Sequence, residues 1–333
     1  MKIAVFDTHH YDRQALDAAN AKFGHELVYF EARLNRETVA LAAGFLVVCP
    51  FVNCRLDAGT LTQLAAGGTR FVALRAAGFN GIDVSTAKAL GIAVARVPAY
   101  SPHAVAEHAF ALLLTLVRKT HRAHTRIREG NFSLDGLVGF DLFGKTFGVV
   151  GAGKIGRVAA RIAQGFGCRV LLYDPNPDLA LTATLDASWV DLETVLTQSD
   201  ILSLHLPLNP GSRHLIDAQA LNRMKTGAIL INTSRGGLIE TDALVLAIKS
   251  GKLGGVCLDV YELEEGVFFE NLSETGIADD RLARLLTLPN VLITSHQGFL
   301  THEALANIAD TTLENVRAFA AGEALINVVL LPN

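Results

Sequence analysis

Short β-branched runs alternate along the chain with segments in which apolar residues return every three or four positions. This is the pattern of parallel strands joined by helical crossovers. Residues 3–6, 27–30, 45–48, 71–74 and 92–95 form a first series of predicted strands, with helices over 55–66 and 83–90 between some of them. The pattern breaks at Val97-Pro98-Ala99-Tyr100-Ser101-Pro102, where two prolines interrupt it, and a long helix is predicted from there through His121. A second strand series follows over 147–150, 170–173, 201–204, 228–231, 256–258 and 291–294, and a final helix over 302–321. Helical crossovers between the strands imply parallel pairing and right-handed connections. The proline break marks a domain crossing. Two arrangements satisfy the pattern: two sequential domains, or a second domain inserted into the first.

Length supports two domains, since 333 residues exceed the size at which one core stops growing. Half the residues are hydrophobic and 19% are charged, which excludes disorder. A net charge of -4, with no concentrated basic tract, gives no general attraction to nucleic acid or to an anionic membrane. The longest apolar run, residues 109–117, is too short to span a bilayer and reads as a buried helix, with a subunit contact as a further possibility. The first residues form a short strand and a polar loop in place of a signal peptide, so a cytoplasmic protein is expected. Cys49, Cys54, Cys168 and Cys257 contain no C-x-x-C pair and read as reduced packing residues. The helical pair His121 and His124 has no evident third ligand, so no metal site is expected.

The most specific chemistry follows the strand 147–150. It runs directly into Gly151-Ala152-Gly153-Lys154-Ile155-Gly156, then a helical pattern over 157–166, the strand 170–173, and Asp174. A glycine-rich turn alone is common; strand, turn, helix, strand and terminal acid in this order form a dinucleotide-binding unit. Gly151 permits the tight turn, Gly153 lets backbone approach a pyrophosphate, and Gly156 lets helix and strand pack closely. The first N–H groups of the helix, from Lys154 and Ile155 onward, face the phosphates. Asp174 suits the two ribose hydroxyls and repels a 2′-phosphate, and Pro175, Asn176 and Pro177 offer no compensating cation. NAD is the expected cofactor.

Ligands of open parallel sheets bind beyond the carboxyl ends of the strands. Four ionisable residues fall there in the second series: His205, Arg235, Asp259 and His296, with Glu264 a few residues beyond Asp259 in an acidic loop. Arginine grips a carboxylate and polarises the adjacent carbonyl, histidine moves a proton near neutral pH, and a carboxylate fixes the histidine tautomer. Those parts suit reduction of a 2-oxo acid.

The chain resembles the D-isomer-specific 2-hydroxyacid dehydrogenases, and among them most closely those acting on D-lactate. The resemblance rests on Arg75-Ala76-Ala77-Gly78-Phe79-Asn80, the stretch from Val97 to His108, the Gly151 turn, Asn232-Thr233-Ser234-Arg235-Gly236-Gly237, Leu258-Asp259-Val260-Tyr261-Glu262, and Ser295-His296-Gln297-Gly298-Phe299-Leu300-Thr301. It implies two doubly wound α/β domains of Rossmann or flavodoxin type with parallel sheets and an active-site cleft between them. Residues 1–100 and 299–333 would form a discontinuous substrate domain, and 101–298 an inserted NAD domain. Arg235, Glu264 and His296 would be catalytic, with Glu264 distinguished from Glu262 and Glu265 by its spacing from Asp259. Ala77, Gly78, Tyr100, Arg235 and Phe299 would contact pyruvate or D-lactate. His205, Pro207, Thr233, Ser234 and Asp259 would join the glycine turn and Asp174 around NAD. Copies would pair through the NAD domain, as a dimer or a dimer of dimers. The alternatives implied are a larger 2-oxo acid as substrate or, in another class, an NAD(H)-sensing corepressor-like module. The intact Arg235, Glu264 and His296 set favours the enzyme.

Overall fold

A computed structural model describes residues 1–183 and 185–329. The chain divides into two compact units, Met1–Ser101 with Phe299–Asn333, and Pro102–Gly298.

The first unit is built on a parallel sheet of β1 (Lys2–Val5), β2 (Glu26–Tyr29), β3 (Val47–Cys49), β4 (Phe71–Ala73) and β5 (Ala93–Ala95), in the order β2-β1-β3-β4-β5. Period-two alternation sends the strands' side chains to two different cores. Ala4, Val48, Val72 and Val94 pack with Leu61 and Leu64 of the helix Ala58–Ala66 and Ala87 of the helix Val84–Ala89. On the other face, Ile3, Val5, Val47, Phe71, Ala73 and Ala95 pack with Leu16 of the helix His10–Asn20 and with Ala309, Leu313 and Val316 of the helix His302–Ala320. The last helix therefore belongs to the first sheet, as the inserted arrangement requires.

The second unit holds a seven-stranded parallel sheet: β6 (Thr146–Val150), β7 (Arg169–Tyr173), β8 (Ala187–Trp189), β9 (Ile201–Leu204), β10 (Ala228–Asn232), β11 (Leu253–Leu258) and β12 (Val291–Ile293). Its order is β12-β11-β10-β9-β6-β7-β8, so the direction of winding reverses between β6 and β9. That reversal opens a crevice at the carboxyl ends of these two strands, where doubly wound sheets take their ligands.

Two details depart from the sequence pattern. The edge strand β8 is only three residues long and half-exposed, too short to show alternation. The helix Pro102–Arg118 stops before His121, because Lys119 is left-handed (φ 52°), and a separate helix Thr120–Arg128 follows. The apolar run on the first of these helices is buried within its own unit, where Phe110 stacks on Phe147 at 5.2 Å and Ala106, Ala109 and Leu113 join the same core. All four cysteines are buried and free, and burial pushes the Cys49 and Cys54 thiols up to about 12. No helix among the described residues is long and apolar enough to cross a membrane.

Candidate active site

The glycine turn follows β6 at the crevice. Gly151 has φ 97°, and a Cβ there would lie 2.7 Å from the His205 carbonyl carbon. A Cβ on Gly156 would come within 2.0 Å of the Gly151 carbonyl oxygen, so helix and turn meet at glycine-only distance. Around Gly153, by contrast, nothing lies within 4 Å of a built Cβ. Gly153 is the N-cap of the helix Lys154–Gly165 and no side chain caps it. The helices beginning at Ala58, Val84, Leu192, Ala218, Asp280 and His302 are all capped by an Asp or Thr side chain. The helices Thr120–Arg128 and Thr241–Lys249 also lack a side-chain cap, but the Lys154 helix follows the glycine turn, and its first N–H groups are open to an anion there.

Asp174, at the end of β7, receives the Ala152 N–H on Oδ2 (2.9 Å) and the Asn176 N–H on Oδ1 (2.9 Å). Ala152 also engages Arg157, whose Nε donates to its carbonyl (3.0 Å) while Nη2 bonds Asp178 (2.8 Å). Arg157 and Asp174 thus bond the same residue, Ala152, one through its carbonyl and the other through its N–H.

His205 follows β9. Its Nε2 lies 2.9 Å from Ser203 Oγ, whereas Nδ1 is buried without a partner. Burial pushes this imidazole down to about 4, so it is neutral at physiological pH. Pro207 lies in the loop beyond, where its carbonyl accepts from Ser212 Oγ. After β10, Ser234 Oγ donates to the Leu204 carbonyl, and Thr233 Oγ1 is a second buried polar atom without a partner. Two orphaned polar atoms, an uncapped helix N-terminus and open space at Gly153 on one side of the sheet fit a dinucleotide.

Arg235 extends from the same loop. Asn232 Nδ2 holds its carbonyl (2.8 Å), and its Nη1 donates to the Ser234 carbonyl (2.6 Å). The guanidinium has no carboxylate partner among the described residues. A Cβ on Gly236 would strike the Tyr261 carbonyl carbon at 2.0 Å, so the Arg235 loop packs directly on the segment that leads to Glu264.

The acidic loop resolves into separate tasks. Glu262 is engaged by His214 Nε2 (2.6 Å), Thr241 Oγ1 (2.9 Å) and Arg213 Nη2 (3.3 Å). Burial opposes its charge, but these donors outweigh burial and hold its carboxyl below the usual range. Glu264 receives the Tyr261 N–H on Oε2 (3.2 Å) and faces His296 Nδ1 with Oε1 (3.0 Å). His296 is itself left-handed (φ 51°), a conformation uncommon for a side chain of this size. With Nδ1–H donated to Glu264, Nε2 is the ring nitrogen left for another partner. Asp259, 1% exposed at the end of β11, receives the Gln297 and Gly298 N–H groups (2.8 Å each).

In the first unit, the Ala77 carbonyl accepts from Arg96 Nη1 (2.6 Å), and the Tyr100 carbonyl accepts from Asn307 (2.7 Å). Gly78 is half-buried in the loop after β4, next to the fully buried Arg75, which donates to the Phe6 and Asp7 carbonyls and pairs with Asp12. Phe299 lies 5.8 Å from Phe51 and 6.4 Å from Tyr11. Neither of those neighbours stands out in the sequence, because each is a single aromatic in a loop or first helical turn.

Comparison with known proteins places the fold in a family. Residues 110–298 match the family model "D-isomer specific 2-hydroxyacid dehydrogenase, NAD binding domain". D-lactate dehydrogenase of Escherichia coli (strain K12) is 47% identical over 98% of this chain and 99% of its own length. The solved apo-structure of D-lactate dehydrogenase from Escherichia coli superposes with a TM-score of 0.91 at 45% identity, covering 99% of this chain and 100% of that one. A D-lactate dehydrogenase with NAD+ from Lactobacillus jensenii superposes with a TM-score of 0.83 at 33% identity, over 99% of this chain and 100% of that one. With both units matched end to end, the chain belongs to the D-isomer-specific 2-hydroxyacid dehydrogenases, and the glycine turn and its sheet are that family's NAD-binding domain.

Proposed function

We propose that the chain catalyses the reversible, NADH-dependent reduction of pyruvate to D-lactate. The observation that carries this reading is the Glu264–His296 pair, set on the same sheet as the NAD turn and accompanied by an Arg235 guanidinium that no carboxylate among the described residues neutralises. The relatives named D-lactate dehydrogenase support the choice of substrate.

Bound NADH supplies the hydride that adds to C2 of the 2-oxo acid. Arg235 pairs with the substrate carboxylate and draws electron density from the carbonyl. His296 donates its Nε2 proton to the carbonyl oxygen, which becomes the 2-hydroxyl; in the reverse direction the same nitrogen takes that proton back. Glu264 keeps the Nδ1–H tautomer and stabilises the imidazolium. Ala77, Gly78, Tyr100 and Phe299 complete the assigned substrate contacts, and the NAD contacts are those of the crevice: Gly151, Gly153, Lys154, Ile155, Gly156, Asp174, His205, Pro207, Thr233, Ser234 and Asp259.

A panel of 2-oxo acids assayed for NADH oxidation, with product chirality determined, tests the assignment. Pyruvate should be among the best substrates and D-lactate the product. A strong preference for a longer acid would move the chain to another substrate within its family. NADH binding without turnover of any acid would favour the sensing module.

Association of copies through the Pro102–Gly298 unit is part of the proposal. Phe132, Leu134, Val138 and Phe143 are 73–84% exposed along one segment of that unit, a concentration that a monomer in water does not favour. Lys119 Nζ and Arg126 Nη1 tie the segment down through the Gly136 and Asp135 carbonyls. Sedimentation velocity should give a dimer or larger, reduced to monomer by Phe132→Ser with Leu134→Ser. The four free, buried thiols support a reducing, cytoplasmic setting.

A further inference from the structure

His296 must keep its ring nitrogen in register with the reacting oxygen while its own backbone sits in the left-handed region. Such a conformation persists only where surrounding groups over-determine it. Here the over-determination comes from one residue. The Asp259 carbonyl accepts the His296 N–H (2.7 Å), while its carboxylate takes the Gln297 N–H on Oδ1 and the Gly298 N–H on Oδ2 (2.8 Å each). On the other side of His296, Thr294 Oγ1 donates to the same Oδ1 (2.6 Å). Residues 294–298 thus wrap around a single buried carboxylate.

One more donor reaches that carboxylate, and it comes from far away in the sequence. His108, on the helix Pro102–Arg118, places Nε2 3.0 Å from Thr294 Oγ1 and 3.2 Å from Asp259 Oδ1. The Thr294 hydroxyl has one proton, and Asp259 receives it. The histidine nitrogen must therefore be a donor, its hydrogen shared between the hydroxyl and the carboxylate. Three donors, from Thr294, Gln297 and His108, converge on Oδ1, and the Gly298 N–H reaches Oδ2. Burial opposes the Asp259 charge, and the hydrogen bonds from His108 and Thr294 outweigh burial to keep its carboxyl below the usual range. The fit is close: a Cβ on Gly298 would lie 3.0 Å from Asp259 Oδ2 and 3.5 Å from His108 Cδ2.

We propose that His108 is a positioning residue for the reaction, holding through Asp259 and Thr294 the backbone that aims His296. The inference rests on the acid–base reading of His296. It differs from a packing role, because a packing histidine would need its shape but not its donor.

The test uses the full chain, with pyruvate and NADH, and four variants. His108→Leu should lower kcat by about 10- to 100-fold, as expected for a catalytic group displaced by a fraction of an ångström to one ångström. The KM for pyruvate and the Kd for NADH should stay within about threefold, because His108 is not itself one of the assigned contacts and Asp259 keeps its bonds from Thr294, Gln297 and Gly298. His108→Gln, whose Nε2 donor takes the place of the ring nitrogen, should recover most of that loss. Thr294→Val, nearly isosteric, should lower kcat in the same direction. Parental kcat in His108→Leu, or a Gln variant no better than the Leu variant, would overturn the proposal. Should the Leu variant fail to fold, as judged by lost NADH binding, parental kcat in Thr294→Val overturns it just as well. His296→Ala separates the two ideas: turnover surviving there removes the acid–base reading itself. Turnover lost there but kept in His108→Leu removes only the positioning role.

Discussion

Glu264 Oε1 stands 3.0 Å from His296 Nδ1, and the Tyr261 N–H fixes the other carboxylate oxygen at 3.2 Å. The acid is thus held at both oxygens, one by the chain and one by the imidazole. Glu264→Gln keeps an acceptor in place but removes the charge that favours the imidazolium. Pyruvate reduction should fall on the order of 10²-fold in kcat, with NADH affinity retained. Glu262→Gln, two residues away, should leave kcat within about twofold and lower the melting temperature, since its partners His214, Arg213 and Thr241 lie elsewhere. Steady-state kinetics and thermal melts of both variants check the division of labour.

The proposed ribose role puts cofactor choice on the Asp174 carboxylate at the end of β7. Replacing Asp174 by Ser removes the repulsion of a 2′-phosphate while Arg157, bonded to the same Ala152, stays in place. The preference for NADH over NADPH, measured as a ratio of kcat/KM, should narrow on the order of 10- to 100-fold. An unchanged ratio would count against the ribose role.

The neutral, buried His205 carries a pH signature. Its folded-state value of about 4 lies below the ordinary 6.5, so the unfolded chain binds the proton more readily. Its stabilising contribution is therefore complete above pH 6.5 and is lost as pH falls toward about 4. Melting temperatures of cofactor-free protein across that window should fall more steeply for the parent than for His205→Asn. Parallel curves would sink the assignment.

Glycines of the turn should separate by function. Gly156→Ala forces a Cβ to 2.0 Å from the Gly151 carbonyl oxygen and should destabilise the unit by at least about 1–3 kcal/mol. Gly153→Ala meets open space and should change the stability of cofactor-free protein by no more than about 1 kcal/mol. Its loss should appear in NADH affinity. Calorimetry of both variants with and without NADH checks the contrast.

Local patterns carried much of this site into view. The β6 run, its glycine turn and Asp174 lie within some thirty residues, and their order alone reports a nucleotide unit. Arg235 and His296 show themselves by falling just after apolar strands. What stayed hidden depends on long-range packing. Spacing from Asp259 points to Glu264 only by way of the resemblance; the contacts themselves, His296 on Glu264 and His214 with Thr241 on Glu262, depend on packing across the sheet. His108 gives no local signal, since its partners are 151 and 186 residues away. Lys119 reads as a good helix residue, yet its left-handed backbone divides two helices.

The return of the chain to the first sheet sets an order for synthesis. Ile3, Val5 and Phe71 are ready early, but the residues that cover them, Leu313, Val316 and the Phe319 ring stacked 4.5 Å from Phe71, are made only after the whole inserted unit. At about 5–20 residues per second, the intervening NAD-binding unit takes roughly 10–40 s to emerge from a ribosome. During that interval one face of the nascent first unit lacks its closing helix. The NAD-binding unit is whole as soon as Gly298 has cleared the exit, so it matures first although it begins second.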